Sequence, residues 1–385
     1  MHIKHIKYSL KTINIVFFYK IWYKYKKYDK IKPEVRIVGE EVLSRILLMI
    51  TTTFLFTVLI VPFIKKIAIH VGALDIPNKR KVHKKAMPRL GGLAIYLGFL
   101  FGYMLFGEAS STMNSILIAS FIVILIGIVD DIKPLKASIK FISQFVAALI
   151  IAAYGKLLIQ DITVFGLYLD LGLFSYPVTI FFILGCLNCI NLIDGLDGLA
   201  SGISAIYFAT IGIISIIMGK TGLDFALTFI MLGSVLGFLV HNFHPASIFA
   251  GDSGSLFMGF MIAVIALLGF KSVTLTSLLI PLLIFAIPIL DTVFAIIRRL
   301  LKGEKISKPD KEHLHHQLLN KNFSHRTTVL IIYLIDILFA IASIIYVLHN
   351  QKIGYIIYGV LTIIVIILVT KTNIVVDIKS NKKKW

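Results

Sequence analysis

The chain is short of charge and shorter still of acids. Of its 385 residues only 15% are Asp, Glu, Lys or Arg, against about 25% in an ordinary soluble domain. The acids number 20 and the basic residues 39. Cysteine occurs twice, at Cys186 and Cys189, inside an apolar run. Two thiols three residues apart make neither a disulfide framework nor a complete metal site, so they read as core packing. No secretory signal peptide is visible. The apolar run of residues 1–42 is Ile13–Tyr19, too short to span a bilayer. No internal repeat of fixed period appears. What fills the chain instead is hydrocarbon: 58% of the residues are hydrophobic, and the mean hydropathy is +0.91. These values predict an all-α, polytopic integral membrane protein. The formal charge of +19 does not mark a nucleic-acid partner in so apolar a chain. Loops facing an anionic membrane surface explain it better.

The apolar runs give eleven candidate spans near the ~20 residues that a bilayer needs. Their approximate limits are 43–67, 91–107, 113–129, 139–159, 175–192, 199–218, 225–241, 255–270, 275–297, 327–348 and 353–370. Short loops join most neighbours, which predicts one helical bundle. Residues 1–42 form a basic extension, either an interfacial anchor or a poorly ordered tail. Residues 43–370 form the transmembrane domain, and 371–385 a basic tail. With the segment after the first span placed in the cytoplasm, Lys and Arg collect at 65–89, 133–140, 298–326 and beyond 371, as the positive-inside rule requires. The opposite side holds only Lys156, Lys220, Lys271 and Lys352. The basic residues from Lys4 to Arg45 fall on the wrong side of this arrangement.

The same topology puts the scarce acids on the basic face: Asp130 with Asp131, Asp194 with Asp197, Asp252 and Asp291. An ionisable group at the end of an apolar run is costly without a partner, an ion or a wet cavity. Several of them on one face predict a shared site. Carboxylates and amides are hard oxygen ligands suited to Mg²⁺, with Mn²⁺ as the alternative, especially where phosphates complete the shell. The basic loops suit phosphoryl oxygens. The substrates that fit both signs are a cytoplasmic diphosphate compound and a phosphorylated lipid.

Asn188, Asn191 and Asp194 are spaced three apart and share a loose helical face. Asn188 reads equally as a ligand, a cap or helix–helix glue. The adjacent acids Asp130 and Asp131 point in different directions on a helix and so have separate jobs. Asp252 lies in the turn GDSGS. Asp291 is a fair candidate for a structural pair with Arg298 or Arg299. The cluster His313, His315 and His316 reads as a phosphate or nucleotide contact rather than a zinc site, because its neighbours offer no matching ligand spacing.

Taken in order, these motifs resemble the polyprenyl-phosphate N-acetylhexosamine-1-phosphate transferases. That family includes the undecaprenyl-phosphate GlcNAc-1-phosphate transferases of envelope polysaccharide and teichoic acid synthesis, and phospho-MurNAc-pentapeptide translocase. The resemblance rests on the loop DIPNKRKVHKKAMPRLGG at Asp75–Gly92, the pair Asp130-Asp131, NCINLIDGLDGLA at Asn188–Ala200, GDSGSL at Gly251–Leu256, Pro288–Asp291 and HLHH at His313–His316. It implies that Asp252 is the main Mg²⁺ ligand, with Asn191 assisting. Asp130 and Asp131 then handle the lipid phosphate or the metal–diphosphate, and Asp194 and Asp197 serve the nucleotide side. Lys81, His83, Arg89, Asn188, Arg298, Arg299, His313, His315 and His316 contact substrate.

The implied reaction moves a sugar-1-phosphate, GlcNAc-1-phosphate as first choice, from a UDP-sugar to polyprenyl phosphate and releases UMP. The implied place is the bacterial cytoplasmic membrane with the site facing inward, and a homodimer is left open. The peptide-bearing branch is the nearest alternative and a transporter a more distant one. Acids gathered at one face rather than at mid-membrane argue against transport.

Overall fold

A backbone surrounded by hydrocarbon must satisfy its N–H and C=O groups within its own segment, so long apolar runs fold as helices. The computed structural model describes residues 40–77, 86–164, 167–269, 286–301, 314–348 and 351–371. Helix α1 covers Glu40–His70, α2 Gly91–Phe106, α3 Ser111–Ile132 and α4 Ala137–Leu149, the last continued by a π-helical turn at Ile150–Tyr154. Then come α5 at Ser175–Ile193, α6 at Leu199–Ile217, α7 at Leu223–Asn242 and α8 at Gly251–Gly269. The last four are α9 at Ala286–Leu301, α10 at Leu314–Asn320, α11 at His325–Leu348 and α12 at Gln351–Lys371.

Among the described residues, 8 helices are long and apolar enough to cross a membrane: α1, α3, α4, α5, α6, α7, α8 and α11. The molecule is a mostly helical, multi-span membrane protein. Helices α2 and α12 coincide with two further expected spans, α2 being the shorter at 16 residues. Part of the ninth expected span, the extension before residue 40 and the tail beyond 371 lie outside the described residues.

Two features depart from an all-α fold. Leu74–Asp75 (β1) pairs antiparallel with Met87–Pro88 (β2), and Asp161–Val164 (β3) pairs antiparallel with Leu167–Asp170 (β4). Strands of two to four residues are too short to write a period-two signature. The His-rich segment, read as loop, is helical from Leu314 onward in α10.

Helix α8 is the hub. It packs against α2, α3, α5, α6 and α7, and 89% of its most apolar window is buried. Helix α1 packs on α2 and α7 and turns Leu47, Leu55, Leu59 and Phe63 outward, as a lipid-facing helix should. Helix α11 lies on α6 and α12. Backbone bonds place the end of the first basic loop beside the start of α8. Arg89 N–H donates to Ala73 C=O at 3.0 Å, Phe249 N–H to Pro88 C=O at 2.8 Å, and Gly91 N–H to Phe249 C=O at 2.9 Å. That junction positions the site.

Candidate active site

The site grows from the first turn of α8. Helix N-termini leave backbone N–H groups without intrahelical partners, and an anionic side chain there is favoured. Asp131, from the end of α3, fills that role across space. Its carboxylate accepts Asp252 N–H at 2.9 Å, Ser253 N–H at 3.1 Å and the Ser253 hydroxyl at 2.7 Å. Gly251 makes this approach workable: it has φ +71, and a Cβ there would lie 2.4 Å from the Asp131 carboxylate. Only glycine accepts both conditions at no steric cost.

The next residue, Asp252, stands between two cations. Lys140 Nζ lies 2.6 Å from Asp252 Oδ2 and 3.3 Å from Asp130 Oδ2. Arg89 lies 3.3 Å from Asp252 Oδ1, 3.3 Å from Asp131 Oδ1 and 3.5 Å from Asp75 Oδ1. Burial disfavours the Arg89 charge, but Asp131, Asp252, Asp75 and Asp130 outweigh it and raise the guanidinium above its ordinary pKa. Asp130 also accepts Leu135 N–H at 2.8 Å, closing the turn between α3 and α4. The two adjacent acids thus make different contacts: Asp131 caps α8 and Asp130 braces Lys140.

This ion-pair cluster adjoins a cleft of about 340 Å³ whose lining includes Asp75, Arg89, Asn191, Asp194, Asp252 and His316. Asn191 Nδ2 donates to Ser255 Oγ at 2.9 Å. Asp194 ends α5, and its pKa is raised to about 7, first by burial and next by the charge of Asp252. Asp197, also on the cleft wall, accepts from His244 Nδ1 at 2.8 Å and Ala246 N–H at 3.1 Å. Its own N–H donates to His325 Nε2 at 2.9 Å. Asp197, His244 and His325 bring three ligand-type atoms within 4.8 Å of one another, a set that could hold a metal ion.

The remaining expected site residues are placed differently. Asn188 does not line the cleft. Its amide donates to Gln144 Oε1 and Leu184 C=O, both at 2.8 Å, so it ties α5 to α4. Arg298 and Arg299 are buried at the end of α9, away from the cleft wall. Asp291 accepts Leu314 N–H at 2.9 Å and anchors the first residue of α10. His315 is buried with its ring against Gly195, and its neighbour His316 reaches the cleft. Lys81, His83 and His313 lie outside the described residues.

Three contributors were not singled out from the sequence. Lys140 reads there only as topology-setting charge, and its tie to Asp252 spans 112 positions. His244 and His325 are isolated histidines on different elements, joined only by folding.

Comparison with known proteins accords with this geometry. The model of glycosyl transferase family 4 matches residues 113–270. The chain is 43% identical over 309 residues to a probable undecaprenyl-phosphate N-acetylglucosaminyl 1-phosphate transferase of Bacillus subtilis, covering 80% of this chain and 86% of the relative. It is 31% identical to the decaprenyl-phosphate N-acetylglucosaminephosphotransferase of Mycolicibacterium smegmatis, covering 74% of this chain and 77% of that one. It is also 31% identical to the undecaprenyl-phosphate alpha-N-acetylglucosaminyl 1-phosphate transferase of Escherichia coli K12, covering 74% and 80%. Extended similarity to relatives with one kind of activity, together with a membrane bundle whose acids and cations meet at one cleft, places the chain among the polyprenyl-phosphate N-acetylglucosamine-1-phosphate transferases of glycosyl transferase family 4.

Proposed function

We propose that the protein transfers GlcNAc-1-phosphate from UDP-GlcNAc to undecaprenyl phosphate, releasing UMP. The bond formed joins a lipid phosphate oxygen to the β-phosphorus of the donor, and the bond broken is that phosphorus to the bridging oxygen. UMP departs with that oxygen, so no covalent enzyme intermediate is needed. The observation that carries this reading is Asp252, a carboxylate at the head of the most buried helix, set between Lys140 and Arg89 beside the cleft.

The donor set of the cleft fits Mg²⁺. Asp252, Asp194 and Asn191 offer hard oxygens, and Asn191 spends its amide nitrogen on Ser255, leaving its oxygen as the ligand end. Imidazole nitrogens suit transition metals better, so Asp252 with Asn191 is preferred over the histidine-bearing cluster. When bound, the ion would neutralise diphosphate charge and stabilise the leaving phosphate.

The protein's own groups do the rest. Lys140 and Arg89 attract phosphoryl oxygens, and Asp130 and Asp131 keep those cations in place. His316 and Asp194 face the donor across the cleft. The transferase domain is 43–370, its spans number eleven, and the cleft opens to the cytoplasm of a bacterial inner membrane, supported by the clustering of Lys and Arg on that side.

Purified protein incubated with undecaprenyl phosphate, Mg²⁺ and a panel of labelled UDP-sugars tests the proposal. The expected result is one lipid-linked diphospho-sugar with matching UMP, greatest for UDP-GlcNAc. A folded, metal-loaded protein that releases free sugar phosphate to water, or leaves every donor intact, refutes it.

A further inference from the structure

We infer that α11 sets the position of the Asp194–Gly198 loop, with Tyr333 as its positioning residue and His325 as its second hold. The inference deepens the proposed function, because that loop carries the carboxylates assigned to the donor side.

The loop leaves α5 at Asp194 and enters α6 at Leu199. It turns through Gly198 with φ 79. Five residues outside any helix must be oriented by something else. His315 of α10 packs on the loop's Gly195, and among the described residues two other parts of the chain bind its last two residues by hydrogen bonds. On one side, residues from the end of α7 and the α7–α8 connection hold its last two residues. His244 and Ala246 bind the Asp197 carboxylate, and Asn242 Oδ1 accepts Gly198 N–H at 3.2 Å and the Ser201 hydroxyl at 2.7 Å.

On the other side stands α11, more than 120 positions away in sequence. Tyr333 donates its hydroxyl to Gly198 C=O, and His325 Nε2 accepts Asp197 N–H. The two residues are eight apart, about 12 Å along the helix. The His325 ring also stacks on His244, with centroids 4.3 Å apart and planes at 20°. The two grips therefore meet. For Nε2 to accept, the ring proton of a neutral His325 must sit on Nδ1.

Tyr333 is the cleaner of the two. His325 lines the cleft, whereas Tyr333 is absent from its wall. Any effect of the hydroxyl on the donor must act through the loop. Its ring lies directly on Gly202, where a Cβ would come within 2.0 Å of ring carbon Cζ. The ring is thus held by packing, and Tyr333→Phe deletes the hydroxyl and its hydrogen bond while keeping the ring carbons that face Gly202. A neutral hydrogen bond contributes roughly 0.5–1.5 kcal/mol, a factor of about 2–10 in an equilibrium.

The test is Tyr333→Phe in the full-length protein in detergent. The expected result is a roughly 3–10-fold rise in KM for the UDP-sugar, with KM for polyprenyl phosphate unchanged and kcat within about twofold. Amide exchange at residues 194–198 should quicken while exchange within α6 and α8 stays as it was. His325→Gln, which keeps an acceptor, should retain more donor affinity than His325→Leu. Gly202→Ala, which pushes the ring off α6, should shift the donor KM in the same direction as Tyr333→Phe. Unchanged exchange in the loop, or an equal rise of both KM values, overturns the inference. The exchange readout needs no turnover: an inactive wild-type protein would defeat the proposed function, and loop exchange would still decide this one.

Discussion

Two of the places where the molecule buries acids do so on opposite terms. At the start of α8, Asp130, Asp131 and Asp252 share Lys140, Arg89 and several backbone N–H groups. In the middle of α11, Asp336 is fully buried, and among the described residues neither of its carboxyl oxygens has a hydrogen-bond partner. The first arrangement gives its acids shared cations and backbone donors beside a cleft. The second leaves an acid without a hydrogen bond among the described residues. Burial of an acid is therefore not in itself the mark of a site in this protein. Partners shared among several acids, next to a cleft, are.

The sharpest way to break the comparison is Asp252→Asn. Loss of a group aimed at developing charge typically costs about 10²–10³ in kcat, so transfer should fall at least that far with the fold retained, as read by turnover and by melting in detergent. Residual activity within a few fold of wild type would make Asp252 only a helix-end residue.

Next in size is Asp131→Ala. Removing one partner of a buried ion pair costs up to about 3–5 kcal/mol; here the first turn of α8 would lose its acceptor, while Arg89 would keep Asp252 and Asp75. A large drop in melting temperature is expected, with activity lost through misplacement of Asp252. A stable variant that is merely slow would move Asp131 from cap to direct substrate contact.

His244→Ala separates the two candidate cation sets. Mg²⁺ prefers oxygen ligands, so the concentration of Mg²⁺ giving half-maximal rate should stay within about twofold of wild type. A large shift would bring the cluster of Asp197, His244 and His325 into the metal site.

Asp336→Val should have the opposite sign to Asp131→Ala. Burying a polar group without a hydrogen bond costs roughly 1–3 kcal/mol on mutational scales, so removing it should raise the melting temperature. Destabilisation instead would reveal that Asp336 serves the packing of α11.

The last test concerns pH. Asp194 has its pKa raised to about 7 in the folded, metal-free protein, while an unfolded chain returns it to the ordinary carboxylate value. The native state then binds the extra proton between those two values, so stability falls as pH rises from about 4 to about 7. Asp194→Asn should flatten that slope in thermal melts, and an unchanged slope would assign it to another group.

The fold was largely legible because hydrophobic runs are local. The expected limits 175–192, 199–218 and 225–241 meet helices at Ser175–Ile193, Leu199–Ile217 and Leu223–Asn242. The short ladders and α10 escaped because their segments are too brief to carry a period. In the site, Asp252, Asp194 and Arg89 were readable as motif residues, and Asp194 and Asp197, grouped in the sequence, both line the cleft. The pairing of each group was not. Lys140 reaches Asp252, and His325 reaches Asp197, across more than a hundred residues, and no spacing rule encodes such a meeting. Asn188 illustrates the converse: its helical phase matches Asn191, yet it lies one turn deeper and meets Gln144 rather than the cleft.

Lys140 has one more consequence. Its ammonium stands where a divalent ion would approach Asp252. Holding a divalent ion on Asp252 would therefore be an exchange of counterions, which would free the Lys140 ammonium for phosphoryl oxygens. Such an exchange would let an ionic substrate approach the border of a hydrocarbon phase without leaving Asp252 or Lys140 uncovered.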